Sequence, residues 1–294
     1  MVQILGFKEE FNRIKLNMKN EVNLLEKNGI VPHLVVFLIG NNGASEVYVK
    51  NKSKSCNEIG VNITVIRLPE DIDCCALIDK INYYNNDKFC DGILVQLPLP
   101  KHIDINTVVF NINPAKDVDC FTPYRLGKLC FLQPEDLIPP TPNAVIYVMD
   151  FIGIELRGKH VVIINDTILL GKPLTQLLLN MGATVTVCNI YTTDIETICR
   201  SADVIVTGVG KPDFILDNRF CRKGVAVIDV GIKEINGKVV GDVNIDDVDN
   251  ASVVTKVPGG VGLLTISFLL QNIIKIAKLR LGHTIIEYGQ MQNM

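Results

Sequence analysis

The chain has 294 residues, 48% of them hydrophobic and 21% charged, with a formal net charge of −3. That length suits one large or two ordinary packed domains, and a near-neutral balance without a basic block excludes nucleic acid and anionic membranes as expected partners. Nine cysteines without metal-type spacing (Cys74 and Cys75 are adjacent) and only four histidines argue for reduced thiols and no metal site.

With no secretory or organelle leader visible at the N-terminus, and no uninterrupted apolar run of about 18 residues, a cytoplasmic protein is expected. Phe11, Ile14, Met18, Val22 and Leu25 follow helical spacing and predict an amphipathic first helix closed by Gly29. Leu34 to Ile39 is a continuous apolar run, the pattern of a strand buried on both faces. A helix follows, with Ser45 placed to cap it and Gly60 to stop it. Tyr48, Lys52, Cys56 and Ile59 share one face of that helix, whereas Lys50 and Lys54 point away.

Lys52 has two open readings. Burial lowers a lysine pKa and suits it to proton transfer near neutral pH. Alternatively the stem packs on the apolar stripe and the ammonium stays in water. Tyr48, one turn earlier, is placed to stack on a flat ligand.

A strand at Asn62 to Leu68, a helix near Cys74 to Asn85 and a buried strand from Gly92 continue a β-α-β-α-β order. Ligands of such sheets bind at the carboxyl ends of the strands. Gln96 stands there, either capping backbone or holding an ammonium group such as that of Lys52. Pro114 to Leu129 reads as a loop, in which Asp117 and Asp119 would face opposite sides, one a ligand and one solvent. Pro134, Pro139, Pro140 and Pro142 mark a hinge.

A second α/β pattern has strands at Val161 to Ile164, Thr184 to Cys188, Val204 to Val209 and Val225 to Val230. Gly171-Lys172-Pro173 opens a helix through Leu179, and the turn before it holds one glycine, Gly171. Pro258 to Gly262 reads as a flexible loop, followed by a long apolar helix from Thr265 to Arg280.

Six blocks now stand in a recognisable order. They are Tyr48-x-x-x-Lys52, Asp91 to Pro100, Lys116-Asp117-Val118-Asp119, Gly208 to Pro212, Asp229 to Ile232 and Pro258 to Gly262. In these the chain resembles bifunctional methylenetetrahydrofolate dehydrogenase/methenyltetrahydrofolate cyclohydrolase, from Phe7 to about Arg280. The resemblance implies two α/β domains with a cleft between them, the second Rossmann-like. The expected bounds are a folate-binding catalytic domain over 1–138, joined by the helix 266–294, and a dinucleotide-binding domain over 139–265.

It also implies oxidation of methylenetetrahydrofolate with a nicotinamide cofactor, then hydrolysis of the methenyl product to formyltetrahydrofolate. This is one-carbon metabolism of the kind that feeds purine biosynthesis, in a homodimer. By the resemblance Lys52, Tyr48, Gln96 and Asp119 are the catalytic set, Tyr48 packing on the folate, Gln96 partnering the lysine and Asp119 binding the pterin, and Leu97, Pro98, Gly259, Gly260 and Gly262 complete the folate contacts. Thr141, Asn165, Asp166, Thr167, Gly171, Ile190, Gly210 and Ile232 would meet the cofactor.

Some positions depart from the family pattern. Cys120 replaces a glycine, Thr122 a histidine, Leu263 a proline and Ala144 a glycine. Asn165-Asp166-Thr167 replaces Gly-Arg-Ser, and Asn189-Ile190 replaces His-Ser. NADP is the cofactor the family implies. NAD use follows from the acidic residue at position 166, because acids near the ribose bind its 2′-hydroxyl.

A short-chain dehydrogenase also carries Tyr-x-x-x-Lys, but after its nucleotide turn, whereas Tyr48 precedes Gly171 by more than a hundred residues. A non-enzymatic binding protein would lack the reactive set Lys52, Gln96 and Asp119. A cyclohydrolase without dehydrogenase activity is the remaining alternative.

Overall fold

Apolar runs without polar alternation form central strands of two parallel sheets, because only a strand covered on both faces can bury every side chain. The computed structural model describes residues 2–133, 135–211, 214–235 and 238–291; the side chains of residues 44 and 281–291 are not among those described. In chain order the elements are β1 (Gln3–Leu5), α1 (Lys8–Lys27), β2 (His33–Ile39), α2 (Gly43–Ile59), β3 (Asn62–Leu68), α3 (Cys74–Asn86), β4 (Gly92–Val95), α4 (Ile105–Asn111), α5 (Pro123–Lys128), α6 (Pro140–Phe151), β5 (His160–Ile164), α7 (Gly171–Asn180), β6 (Thr184–Cys188), α8 (Ile195–Arg200), β7 (Val204–Thr207), β8 (Val225–Asp229), β9 (Lys233–Ile235), β10 (Lys238–Val240), β11 (Ala251–Thr255) and α9 (Val261–Met291).

The chain divides into two compact units. One comprises Asn12–Lys128, Gln133–Ile138 and Leu269–Met294. Its sheet has the order β3-β2-β4 and is parallel throughout, with Phe37 opposite both Ile66 and Val95. Leu34 to Ile39 are buried along the whole central strand. Val35, Phe37, Leu77, Ile81, Ile93 and Val108 pack into one core cluster between sheet and helices. On α1 the buried residues are Ile14, Met18, Val22 and Leu25, four of the five that the helical spacing selects.

The other unit comprises Met1–Phe11, Leu129–Leu132 and Pro139–Phe268. Its six strands run in the order β1-β11-β8-β7-β5-β6, all parallel. This is a doubly wound sheet, whose ligand edge lies at the carboxyl ends of β5, β7 and β8.

Several expectations are corrected. The N-cap of α2 is Asn42, not Ser45: Asn42 Oδ1 accepts from Ser45 N at 3.0 Å, so the helix begins three residues earlier. Gly60 ends it in the left-handed conformation, φ 88°, as expected. The segment Pro114 to Leu129 is not simply loop: it holds a 3₁₀ turn at Pro114–Lys116 and the helix α5.

The proline-rich stretch holds the passage from one unit to the other, between Ile138 and Pro139, and it also starts a helix. Pro140 and Pro142 lie in the first turn of α6, where a missing N–H costs nothing. Pro134 lies outside the described residues. Gly262 belongs to α9, which starts at Val261 rather than Thr265. The expected domain bounds also shift at the N-terminus: β1 pairs with β11, Ile4 opposite Val254, which places Met1–Phe11 with the six-stranded unit. A three-residue strand carries too little periodicity to be read from sequence.

By length and composition the Val261–Arg280 stretch of α9 could cross a membrane, but 61% of it is buried inside the protein. Val261, Leu264, Leu269, Leu270, Ile273 and Ile274 are buried core residues. Asn272 Nδ2 donates to Val118 O and Ile138 O at 2.9 Å each, tying this helix to the three-stranded unit.

Candidate active site and dinucleotide turn

The α2 stripe supplies the first groups. Cys56 and Ile59 are fully buried, Tyr48 and Lys52 are half-buried, and Lys50 and Lys54 are exposed. The 3.6-residue period therefore turns Lys52 alone inward among the three lysines. Its ammonium donates to Gln96 Oε1 at 2.9 Å. Gln96 follows the last residue of β4, and its own amide donates to Leu97 O at 2.8 Å, which fixes which atom faces the lysine. Ser45 Oγ donates to the same carbonyl at 3.3 Å, so α2 and the end of β4 are held together.

Burial lowers the Lys52 pKa, and the neighbouring Asp119 carboxylate and Cys56 partly oppose that shift. Asp119 is pushed up to about 6 by burial, against the attraction of Lys52 and with some repulsion from Asp117. The Cys56 thiol is pushed up to about 12 by burial, so it stays protonated beside Lys52. Burial raises Tyr48 as well. The snorkelling alternative for Lys52 does not hold, since its head is engaged and poorly hydrated. The site brings together a lysine whose pKa burial lowers, a glutamine that accepts from its ammonium, and a carboxylate pushed up to about 6.

Asp117 and Asp119 do part, but neither is a solvated turn residue. Asp117 is 2% exposed and its Oδ2 accepts from Thr122 N at 2.7 Å. It pins the chain where Asp117 bridges to Ile93 beside β4. That leaves Asp119 as the available carboxylate of the pair. Both residues, with Val95, Leu97, Leu99 and Phe121, line a small apolar pocket. The family glycine after Asp119 is explained by Cys120, whose φ of 61° lies in the left-handed region. Thr122, at the family histidine position, is buried, and its Oγ1 accepts from Arg125 N at 3.4 Å.

Gly259, Gly260 and Gly262 belong to the six-stranded unit and Tyr48, Lys52, Gln96 and Asp119 to the three-stranded one. Gly259 has φ 97° and its carbonyl accepts from Phe7 N at 2.9 Å. Leu97 is half-buried and Pro98 is exposed after a cis peptide bond.

In the six-stranded unit the turn from β5 to α7 is organised by Asn165. Its Oδ1 accepts from Thr167 N, Thr167 Oγ1 and Gly171 N at 2.8–3.0 Å, and its amide donates to Gly208 O at 2.7 Å. One asparagine thus does locally what a glycine-rich turn does elsewhere. Gly171 is required for a steric reason: a Cβ there would lie 1.8 Å from Asn165 O. Gly171→Ala is expected to displace that backbone and cost about 1–3 kcal/mol. Thermal unfolding checks this, and a variant as stable as wild type would mean the turn is not held as described.

Gly210 takes φ 64° against Ile232 O, and Gly208 leaves room for Leu170. Thr141 is half-buried in the first turn of α6. Asp166 is exposed and its Oδ2 accepts from Asn189 Nδ2 at 3.1 Å. Ile190 is 75% exposed and offers no hydrogen-bonding side chain. The bare glycine backbone at the strand ends fits an extended dinucleotide, with Asp166 beside the start of the next strand-end loop.

The expected residue set omitted Asp242, fully buried at the ends of β7 and β8. It also omitted Asp229, which burial pushes up to about 7. An aspartate closing the apolar run Val225 to Ile228 was a legible signal for the latter. Asp242, after a short hairpin, carried none.

Comparison with known proteins agrees with this division of labour. Residues 6–119 match the family described as tetrahydrofolate dehydrogenase/cyclohydrolase, catalytic domain, and residues 139–281 its NAD(P)-binding domain. The bifunctional protein FolD of Thermodesulfovibrio yellowstonii is 45% identical over 280 residues, covering 95% of this chain and 97% of that one. The crystal structure of the bifunctional FolD of Campylobacter jejuni has a TM-score of 0.90 at 40% identity, covering 95% of this chain and all of the other. The Trypanosoma brucei enzyme, solved with NADP cofactor and an inhibitor, has a TM-score of 0.89 at 34% identity, covering 95% and 98% of the two chains. With both domains matched in order and relatives this similar over nearly the whole length, the chain belongs to the tetrahydrofolate dehydrogenase/cyclohydrolase family.

Proposed function

We propose that Lys52 carries the proton in the hydrolase step of this bifunctional enzyme of folate one-carbon metabolism, and that the dehydrogenase step is not strictly tied to NADP. The observation that carries the first part is the 2.9 Å contact from Lys52 Nζ to Gln96 Oε1, in a setting that lowers the lysine pKa. The enzyme oxidises methylenetetrahydrofolate and hydrolyses the methenyl product to formyltetrahydrofolate.

In our reading, Tyr48 packs on the folate ring system, Asp119 accepts from the pterin amide edge, and Leu97, Pro98, Gly259, Gly260 and Gly262 complete the folate site. Lys52 takes a proton from the water that adds to the methenyl carbon and returns it as the ring C–N bond opens. Gln96 keeps the ammonium aimed and accepts its hydrogen bond throughout. Oxidation is chiefly a positioning problem, and a nicotinamide ring, when bound, supplies the hydride acceptor. Thr141, Asn165, Thr167, Gly171, Gly210 and Ile232 would hold that cofactor. We also place the protein in the cytoplasm, in line with its nine free thiols, and read it as a homodimer.

Asp166 and Ile190 bear on the choice of cofactor. A 2′-phosphate carries close to two negative charges near pH 7, and Asp166 offers it repulsion where the family pattern has an arginine. At about 4 Å and an effective dielectric near 20, a unit charge pair amounts to roughly 4 kcal/mol. Exposure and salt reduce this to about 1 kcal/mol, several-fold in affinity.

The test is a spectrophotometric assay on both folate substrates with NADP, NAD and neither, in wild type and Asp166→Arg. The expected outcome is a weak NADP preference that the arginine strengthens about tenfold, with hydrolase activity unaltered. A strong NADP preference that the arginine leaves unchanged would show that this loop does not read the phosphate. Absence of hydrolase activity would refute the assignment of Lys52.

A further inference from the structure

The two buried carboxylates at the ligand edge of the six-stranded sheet have no part in the chemistry above. Asp229 and Asp242 are 2% and 1% exposed, and the hydrogen bonds they accept come from backbone N–H groups and one hydroxyl. Asp242 Oδ2 accepts from Thr207 Oγ1 at 2.8 Å and Val209 N at 2.7 Å, and its Oδ1 accepts from Gly210 N at 3.0 Å. Asp229 accepts from Gly231 N at 2.9 Å and Val243 N at 3.0 Å. The two side chains interlock. A Cβ on Gly231 would lie 2.2 Å from Asp242 Cγ, and one on Gly241 would lie 2.0 Å from Asp229 Oδ2.

A buried carboxylate costs several kcal/mol unless its lone pairs are taken up, so this one holds its three donors firmly. Because peptides are planar and trans, aiming the N–H of Val209 inward turns the carbonyl of Gly208 the other way. That carbonyl is the acceptor for Asn165 Nδ2 at 2.7 Å, and Asn165 in turn organises the turn before α7. A continuous set of hydrogen bonds therefore runs from Asp242 through the Gly208–Val209 peptide to Asn165 and Gly171. Thr207 and Asp229 end adjacent strands in register, so both carboxylates stand where such sheets bind ligands.

We propose that Asp242 is a positioning residue for the dinucleotide: it sets the backbone of 208–210 and, through Asn165, the first strand–helix turn. This rests on the reading that Asn165 and Gly210 meet the cofactor. Asp242 itself is buried beneath that backbone and has no contact to offer the ligand.

Asp242→Asn keeps the shape but turns an amide N–H towards one of the backbone donors. Titration of the purified enzyme with NADPH and NADH, followed by cofactor fluorescence, should show a dissociation constant raised about tenfold or more. The cofactor KM should rise in parallel, while hydrolase kcat/KM stays within about twofold, because Lys52, Gln96 and Asp119 stand in the other unit and the hydrogen bonds of Asp242 do not reach Gly259, Gly260 or Gly262. A double-mutant cycle with Asn165→Ala should be non-additive in cofactor binding, as expected for two members of one network.

Unchanged cofactor affinity in a folded Asp242→Asn enzyme, an additive cycle, or hydrolase activity falling together with cofactor binding would each overturn the proposal. Should Asp242→Asn fail to fold, Thr207→Val removes one donor isosterically. It should weaken cofactor binding about threefold, and an unaltered constant there would overturn the proposal equally. Wild-type enzyme that binds neither NADPH nor NADH would remove the cofactor reading itself, and the proposal with it.

Discussion

Lys52→Met is expected to lower hydrolase turnover by about 10²–10⁴-fold, the usual contribution of a positioned proton-transfer group, without loss of the fold. Methionine keeps the stem against Cys56 and Ile59 and removes the ammonium that donates to Gln96. The effect on stability has a definite sign. Burial depresses the Lys52 pKa below its unfolded value, so the folded state holds that proton less tightly than the unfolded chain does. The resulting destabilisation is fully present while the lysine is charged in both states. It disappears only as pH rises from the depressed folded value through the ordinary one near 10.5. At neutral pH the methionine variant should therefore melt at the wild-type temperature or somewhat above it, offset by about 1 kcal/mol for the unpaired Gln96 oxygen. Stopped hydrolysis with an intact melting transition supports the role, whereas retention of more than about a tenth of wild-type turnover contradicts it.

Asp119→Asn should lower hydrolase kcat/KM by about 10²–10³-fold, since two hydrogen bonds to a charged acceptor, each about 1.5–3 kcal/mol, are weakened together. Asp117→Asn should instead act on stability, costing about 1 kcal/mol by loosening the bond to Thr122 N and leaving folate-analogue affinity within a few-fold. Titration with a folate analogue alongside thermal unfolding separates the two, and equal losses of affinity would mean the wrong carboxylate has been assigned.

The pH dependence follows from the same residue. With Asp119 raised to about 6, wild-type kcat/KM should fall on the acid side with an apparent pKa near that value, and Asp119→Asn should lack the limb. Stability moves oppositely to the common carboxylate case. Between the ordinary value of 3.8 and about 6 the folded state keeps a proton that the unfolded chain has released. Stability contributed by that proton is thus lost as pH rises through this window. A flat activity profile from pH 5 to about 8 would exclude Asp119 as the titrating group.

The residue pattern by itself determined the two parallel sheets and the inward lysine, because both depend on local periodicity. Continuous runs such as Leu34–Ile39 and Val161–Ile164 can only be covered strands, and the 3.6-residue period alone separates Lys52 from Lys50 and Lys54. The six blocks carried the family. What periodicity does not encode was decided by tertiary contacts. β1 is three residues long and exists through its pairing with β11. The prolines at 140 and 142, just past the boundary between the units, fall in a helical first turn where their missing N–H groups are harmless. Asp117 and Asp119 are alike in sequence, and it is the Thr122 N–H and its neighbouring backbone donors that make Asp117 a structural anchor. Asp242 was invisible for the same reason: its three donors lie 32–35 residues earlier, and a buried acceptor takes its meaning from the donors that folding brings to it.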